Sequence, residues 1–172
     1  DKPGAWLAEV LKGSARVGFD PWLHTAGEIE ALEEPLAPRQ IGLVRLANLV
    51  DAVWEDQPPP PARPILAHPE TLAGRSAAEK RAEVAATLGA EDLSAAVLTS
   101  PDSIAWLLNI RGSDIARTPV ALLFAILHAD GRVDLFADPS AADADTRAHL
   151  GGQVTIRERA AFGPALDALT GR

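Results

Sequence analysis

Val120-Ala121-Leu122-Leu123-Phe124-Ala125-Ile126-Leu127-His128, then Ala129-Asp130-Gly131-Arg132, then Val133-Asp134-Leu135-Phe136, reads as two strands joined by a tight turn. A nearly continuous apolar run over 120–128 is what a strand covered on both faces requires. Asp130-Gly131 is expected to supply the positive φ angles of a tight hairpin. Working outward, Ala95 to Thr99 is a third apolar strand, and Val154 and Ile156 alternate in a fourth over 153–157. Helical patterns lie between them. Ser76-Ala77-Ala78-Glu79 is a capping box that opens a helix with Val84 and Leu88 on its apolar side and Gly89 as its stop. Ser100-Pro101-Asp102 starts the next helix, with Ser as cap and Ile104, Leu107 and Leu108 as its buried stripe, ending near Asn109. A helix over 141–150 and another carrying Phe162, Leu166 and Leu169 come next, and residues 65–67 form a short edge strand. Strands alternating with helices, plus one hairpin, give an α/β domain with a mixed β-sheet flanked by helices.

Upstream lies Gln57-Pro58-Pro59-Pro60-Pro61-Ala62-Arg63-Pro64. Consecutive prolines fix φ and lack the amide hydrogen, so 57–64 is an extended proline-rich linker. The competing use is a ligand for an SH3-type or WW-type groove, which would make the chain a free-standing interaction module without catalysis. Before the linker the pattern is α-β-α-β-α. A helix over 5–11 places Trp6 against Val10 and Leu7 against Leu11, a strand covers 15–19, and Thr25-Ala26-Gly27-Glu28 is a second capping box ahead of Ile29, Leu32 and Leu36. A strand over 40–46 and a short helix capped by Asn48 complete it. Two strands and three short helices make a poor core. This block is expected to be the tail of a larger domain, loosely packed or leaning on the block downstream of the linker.

The 172 residues fit one domain or two small ones. Cysteine is absent, which excludes disulfides, thiol nucleophiles and Cys-ligated metals and weakly favours a cytoplasmic location. Methionine is absent too and the first residue is Asp1, so the chain is expected to be a processed product or an excised piece. No run approaches the ~20 apolar residues of a membrane span, and no signal peptide is present, so no membrane partner is expected. Residues 1–64 carry six basic and ten acidic side chains and residues 65–172 ten and fourteen, each part being −4. Phosphate binding needs clustered Lys and Arg, so nucleic acid is not expected as a partner either.

Enzymatic signatures are missing: there is no G-x-S-x-G elbow, no G-x-G-x-x-G after a strand, no Walker loop and no H-E-x-x-H. His24, His68, His128 and His149 lie far apart with no i, i+4 partner, so none suggests a metal pair, although His68 before Pro69 is the least ordinary. Asp138, Asp143 and Asp145 lack the glycine and the twelfth-position Glu of a calcium loop and read as acids in a helix's first turn. One segment stands apart. In Trp106-Leu107-Leu108-Asn109-Ile110-Arg111-Gly112-Ser113-Asp114 an apolar stripe runs into Asn, Arg, Gly, Ser and Asp between a helix and a buried strand, where binding loops of open α/β sheets gather. Asn109, Arg111 and Asp114 are therefore the candidate substrate-access or interdomain residues. The purely structural reading is a helix end whose carbonyls are satisfied by Arg111, with Asp114 as its ion-pair partner.

The run Asp102-Ser103-Ile104-Ala105-Trp106-Leu107-Leu108-Asn109-Ile110-Arg111-Gly112-Ser113-Asp114, followed by Thr118-Pro119-Val120, resembles the "D-E-I-A-W-L-L-N-I-R-G-S-D" stretch of the long, three-domain Xaa-Pro aminopeptidases (aminopeptidase P). Gly18-Phe19-Asp20-Pro21-Trp22-Leu23-His24-Thr25 is similar to the family's "G-Y/F-D-P-W-L-H-T". Asn48-Leu49-Val50-Asp51-Ala52-Val53-Trp54 to Pro58 is similar to its "N-L-V-D-x-I-W-x-D-R-P", and Ala73-Gly74-Arg75-Ser76 to Lys80 to its "A-G-x-S-x-x-E-K". Gln57, where Arg is common, is a departure, and Ala116-Arg117 falls on a variable pair.

The resemblance implies a location within a longer protein. Residues 1–60 would be the C-terminal part of a first creatinase-type N-terminal domain, 57–64 a linker, and 65–172 a second creatinase/prolidase N-terminal-type domain. The family's C-terminal domain, which holds two divalent metals, manganese, on Asp, Asp, His, Glu and Glu, lies outside these residues. No catalytic or metal ligand can be carried over, so the fragment alone is not expected to be an enzyme and holds no cofactor. The implied partners are the metallopeptidase domain of the same polypeptide, proline-containing peptides, and a second copy in a homodimer.

Overall fold

A computed structural model describes residues 2–170. The chain divides into two compact units, Asp1–Pro59 and Pro60–Arg172.

In the first unit, helix α1 (Pro3–Val10) begins with proline at its first position, where the missing amide costs nothing. Strand β1 (Arg16–Phe19) and strand β2 (Gly42–Arg45) pair in parallel, joined by helix α2 (Ala26–Leu36), because parallel neighbours need a crossover. The capping box at Thr25 forms as its sequence dictates: Thr25 Oγ1 accepts from the Glu28 amide at 3.2 Å and Glu28 Oε2 accepts from the Thr25 amide at 2.8 Å. Arg39, just beyond α2, donates to the carbonyls of Ala8 and Glu9 and so closes the C-terminus of α1. Gly4 lets α1 approach α2, since a Cβ there would stand 2.7 Å from Pro35 Cγ. Asn48 Oδ1 accepts from the Val50 amide at 2.9 Å to cap the short helix α3 (Leu49–Val53).

The second unit is built on a four-stranded mixed sheet, ordered β4-β6-β7-β8, of Ala95–Leu98, Phe124–His128, Val133–Ala137 and Val154–Glu158. The first two pairings are antiparallel and the last is parallel. Alternation along the strands covers both faces. Ala125, Leu127, Val133 and Leu135 join the larger core with Leu88 of helix α5 (Ala77–Ala90) and Ile104, Leu107 and Leu108 of helix α6 (Pro101–Leu108). Ile126 and Phe136 face the other way, onto Phe162 at the start of helix α8 (Phe162–Asp167). Phe162 stacks on Phe124 with ring centroids 4.5 Å apart. A separate antiparallel ribbon pairs β3 (Leu66–Ala67) with β5 (Ile110–Arg111). Immediately after the prolines, Ile65 is 1% exposed; its amide donates to Ala141 O and its carbonyl accepts from Thr146 Oγ1 at 2.7 Å.

Several local expectations are corrected. Strand β6 starts at Phe124, not 120, because the backbone at 120–122 is engaged by the loop before it: Val120 O accepts from the Asp114 amide and the Leu122 amide donates to Asp114 Oδ2. In the hairpin only Gly131 takes a positive φ, of 84°. Gly131 N donates to His128 O, and Asp130 Oδ1 accepts from the Arg132 amide, so the tight hairpin forms with a three-residue loop, Ala129 to Gly131. Helix α5 runs through Gly89, and the left-handed position after it belongs to Asp92 (φ 55°). Ser100 stands at the N-cap of α6 but donates its hydroxyl to Asp102 instead of accepting a helix amide. The helix expected over 141–150 begins only at Ala144 in α7 (Ala144–Leu150), where Asp143 Oδ1 accepts from the Thr146 amide at 2.8 Å, while Pro139–Ala141 is a 3-10 turn capped by Asp138.

Candidate functional site

Helix α6 ends because Asn109 takes the left-handed conformation (φ 50°, ψ 54°), one that asparagine tolerates better than most residues. The chain turns from there into β5. Gly112 then passes so close to the segment leading into β6 that a Cβ would lie 2.6 Å from Ala121 N, which is why glycine stands there.

The three candidate residues have different fates. Asn109 is 2% exposed: its Oδ1 accepts from Lys80 Nζ at 2.5 Å and its Nδ2 donates to Arg75 O at 2.8 Å. Its carbonyl accepts from the His68 amide. Asp114 accepts two backbone amides, Arg63 N at 3.0 Å and Leu122 N at 2.8 Å. The expected Arg111–Asp114 ion pair is not formed: Asp114 is held by main-chain amides, and the Arg111 guanidinium is directed to carbonyls instead. Arg111 reaches one carbonyl of α6, donating to Ala105 O at 3.4 Å, and its shorter bond goes to Ile110 O in β5 at 2.8 Å. It is half-buried, and its guanidinium has more donors than these bonds use.

Around this loop the structure gathers cations. Lys80, 2% exposed, donates to Trp106 O at 2.6 Å as well as to Asn109, and its ammonium lies 4.8 Å from the Trp106 ring centre. Burial lowers its pKa, and the positive charges of Arg111 and Arg75 lower it further. The His68 imidazole is pushed down for the same reasons, by burial first and then by Arg111 and Lys80. Such a cluster can hold carbonyls or an anionic partner. It contains no acid–base pair and no nucleophile placed for bond cleavage.

Sequence reading missed Lys80, although a signal existed: Lys80, Val84 and Leu88 fall at i, i+4 and i+8, which puts a lysine on the buried stripe of α5. A second constellation was missed as well. His128 Nε2 lies 3.0 Å from Asp134 Oδ2, and Arg157 Nε donates to Asp134 Oδ1 at 2.7 Å, beside a cleft of about 390 Å³ between the sheet and α8. The hairpin register predicts it, because Asp134 sits opposite Ile126 and His128 is two residues along the same face. Burial raises the Asp134 pKa, but hydrogen bonds from Arg157 and His128 outweigh it and hold the carboxyl below its ordinary value. His149 Nε2 is bonded to Leu108 O at 3.0 Å, and the His24 ring meets Phe19 edge-on.

Among the described residues, no group of three or more His, Cys, Asp or Glu could hold a metal ion. The two-metal centre of the resemblance therefore does not fit the described residues of this chain. Nor is any described helix long and apolar enough to cross a membrane.

Residues 56–172 match the family model described as "Creatinase/Prolidase N-terminal domain". Among curated relatives, Aminopeptidase P2 of Arabidopsis thaliana is 36% identical over 171 residues, an alignment covering 97% of this chain and 24% of that protein. Probable Xaa-Pro aminopeptidase P of Paracoccidioides lutzii is 37% identical over 154 residues, covering 88% of this chain and 25% of its own length. The chain thus spans about a quarter of the length of the curated relatives it matches. Among solved structures, X-prolyl aminopeptidase from Caenorhabditis elegans, described as a cytosolic enzyme with a di-nuclear active site, superposes with a TM-score of 0.86 at 28% identity, over 98% of this chain and 28% of that one.

Proposed function

Since the chain belongs to the creatinase/prolidase N-terminal domain family, we propose that it is a non-catalytic N-terminal portion of an Xaa-Pro aminopeptidase. In this reading it shapes substrate access, and domain or subunit contacts, for a separate metal-dependent domain that removes the residue preceding proline. The observation that carries this reading is the combination of relatives and length: proteins named for that activity match nearly the whole chain with about a quarter of their own. Residues 1–60 are the C-terminal part of a first creatinase-type domain, 57–64 a linker, and 65–172 the second domain. The catalytic metals, two divalent ions of the manganese type, reside on residues outside this chain. The location is cytoplasmic, the working partners are the catalytic domain and short proline-containing peptides, and the enzyme is a homodimer.

Within this role, Asn109, Arg111 and Asp114 form a loop at the substrate channel or a domain boundary. Asn109 and Asp114 hold the loop's shape through the bonds described above. Arg111 is the member with donors to spare, and the neighbouring Lys80 adds positive charge, while Arg75 is paired with Glu83 at 2.6 Å. A cationic, carbonyl-seeking wall suits a peptide or an acidic neighbouring surface. Replacing Arg111 with Ala in the full-length protein is expected to lower kcat/KM for Xaa-Pro peptides several-fold or to change the oligomer mass. Peptide kinetics and mass both left as they were would reject this role for the loop. The residue 1–172 chain by itself, assayed with added manganese, is expected to show no peptidase activity; measurable turnover would reject the non-catalytic assignment.

A further inference from the structure

Arg81 lies in the second turn of α5, 8% exposed, in line with Ala85 and Leu88. Its Nε is buried and, among the described residues, has no hydrogen-bond partner. No described carboxylate lies within ion-pairing distance of it. A guanidinium stays charged at any physiological pH, so a largely buried arginine stands here with its Nε unpartnered and no counter-charge among the described residues, an arrangement that folding alone disfavours. Burial accordingly weighs against its charged form.

Arg81 lines a cleft of about 360 Å³ whose other walls include a helix N-terminus, two glycines and the apolar Leu150. Ser76, Ala77 and Ala78 bring the N-terminus of a 14-residue helix to it. The Glu79 amide is taken by Ser76 Oγ at 3.1 Å, but the amides of Ala77 and Ala78, as the first two helical residues, have no acceptor within the helix. Gly151 and Gly152 line the same cleft, and a Cβ on either would meet nothing within 4 Å. Asn109 and His149 also border it, with side chains already bonded to Lys80, Arg75 and Leu108. Glu70 lines it too, and its charge favours a singly charged occupant over a phosphate. A second cleft shares Arg81; its Asp130 is committed to Arg132 at 2.7 Å.

We propose that this cleft is a carboxylate-binding site, in which the Arg81 guanidinium and the Ala77 and Ala78 amides share the two oxygens. The planar fork of arginine matches a carboxylate, and the helix N-terminus adds a favourable partial charge. The occupant is either a small carboxylic acid from solution or an Asp or Glu side chain from the longer polypeptide. Binding of a soluble acid needs no peptidase domain, whereas the internal-carboxylate case rests on the longer protein proposed above.

Sodium acetate titrated into the ¹⁵N-labelled chain, against sodium chloride at matched ionic strength, tests it by NMR. Saturating shifts are expected at the Ala77, Ala78, Gly151 and Gly152 amides and at the Arg81 Nε–H group, with acetate and not with chloride. Arg81→Met, which keeps the stem, should weaken acetate binding at least tenfold. If that variant does not fold by circular dichroism, Ala78→Pro, which removes one amide donor in a turn that tolerates proline, should weaken it instead. Shifts that never saturate, an equal response to chloride, or unaltered acetate affinity in the folded variant would overturn the proposal. Acetate binding that persists in the full-length protein identifies a soluble acid. Acetate binding lost there, with Arg81→Met lowering the full-length Tm more than the chain's, identifies an internal carboxylate. Finding neither in the full-length protein also overturns it.

Discussion

The two units contain similar local devices and reach different packing. Each has a capped helix running beside parallel or mixed strands, and each capping box closes with the same pair of reciprocal bonds. In Pro60–Arg172 the sheet is covered on both faces, with Leu135, Phe136 and Ala137 in succession at 0% exposure. In Asp1–Pro59 the buried residues are Gly4, Leu36 and Ile41, while Trp6, Val10, Leu49, Val53 and Trp54 stand exposed. The difference lies in the sheet. A two-stranded parallel pair with one crossover has too little area to bury apolar stripes on either side, whereas four strands give α5, α6 and α8 opposite faces to pack against. Good helices do not make a core; a surface broad enough to receive them does.

The sharpest way to break that contrast is to empty each core. Leu135→Ala should cost about 2–5 kcal/mol and shift the main cooperative urea transition. Leu36→Ala should leave that transition in place and perturb only the signal of the first unit; equal shifts in one shared transition would show that the units unfold together. Acid should separate the units next. The Asp134 carboxyl is held below its ordinary value, so its bonds to Arg157 and His128 stabilise the fold above the unfolded pKa of about 3.9 and are lost as pH falls through the lower folded value. Asp134→Asn should therefore cost about 1–2 kcal/mol at neutral pH and much less near pH 2, in denaturation curves of the second unit. An equal cost at both pH values would remove the charge from the explanation. The smallest effects belong to the caps: Ser76→Ala and Thr25→Ala should each cost about 1 kcal/mol, the first read in the main transition and the second only in the first unit.

Features set by neighbours in sequence were legible. Both capping boxes, the Asp130-Gly131 hairpin and the helix end at Asn109 depend on residues within a few positions of one another. Reading failed where a partner lay far away. Asp114 looked like a mate for Arg111 three residues before it, yet its carboxylate accepts from Arg63 and Leu122, one of them 51 residues distant. Gly89 looked like a helix stop, but the turn was delayed to Asp92. Of the candidate loop, the position was readable and the division of labour was not. That Asn109 is consumed by Lys80 depends on how α5 and α6 cross, which no local pattern encodes.

The join between the proline-rich segment and the second unit has a mechanical meaning. Arg63 is tied by its amide to Asp114, and Ile65 is pinned through both its amide and its carbonyl. A pull on the prolines therefore reaches the Asp114 loop, the turn at Ala141 and helix α7 through hydrogen bonds, and it reaches the sheet through the side chain of Ile65, which shares a core with Leu127 and Leu135. The segment is a handle whose far end is set in the core of the second unit.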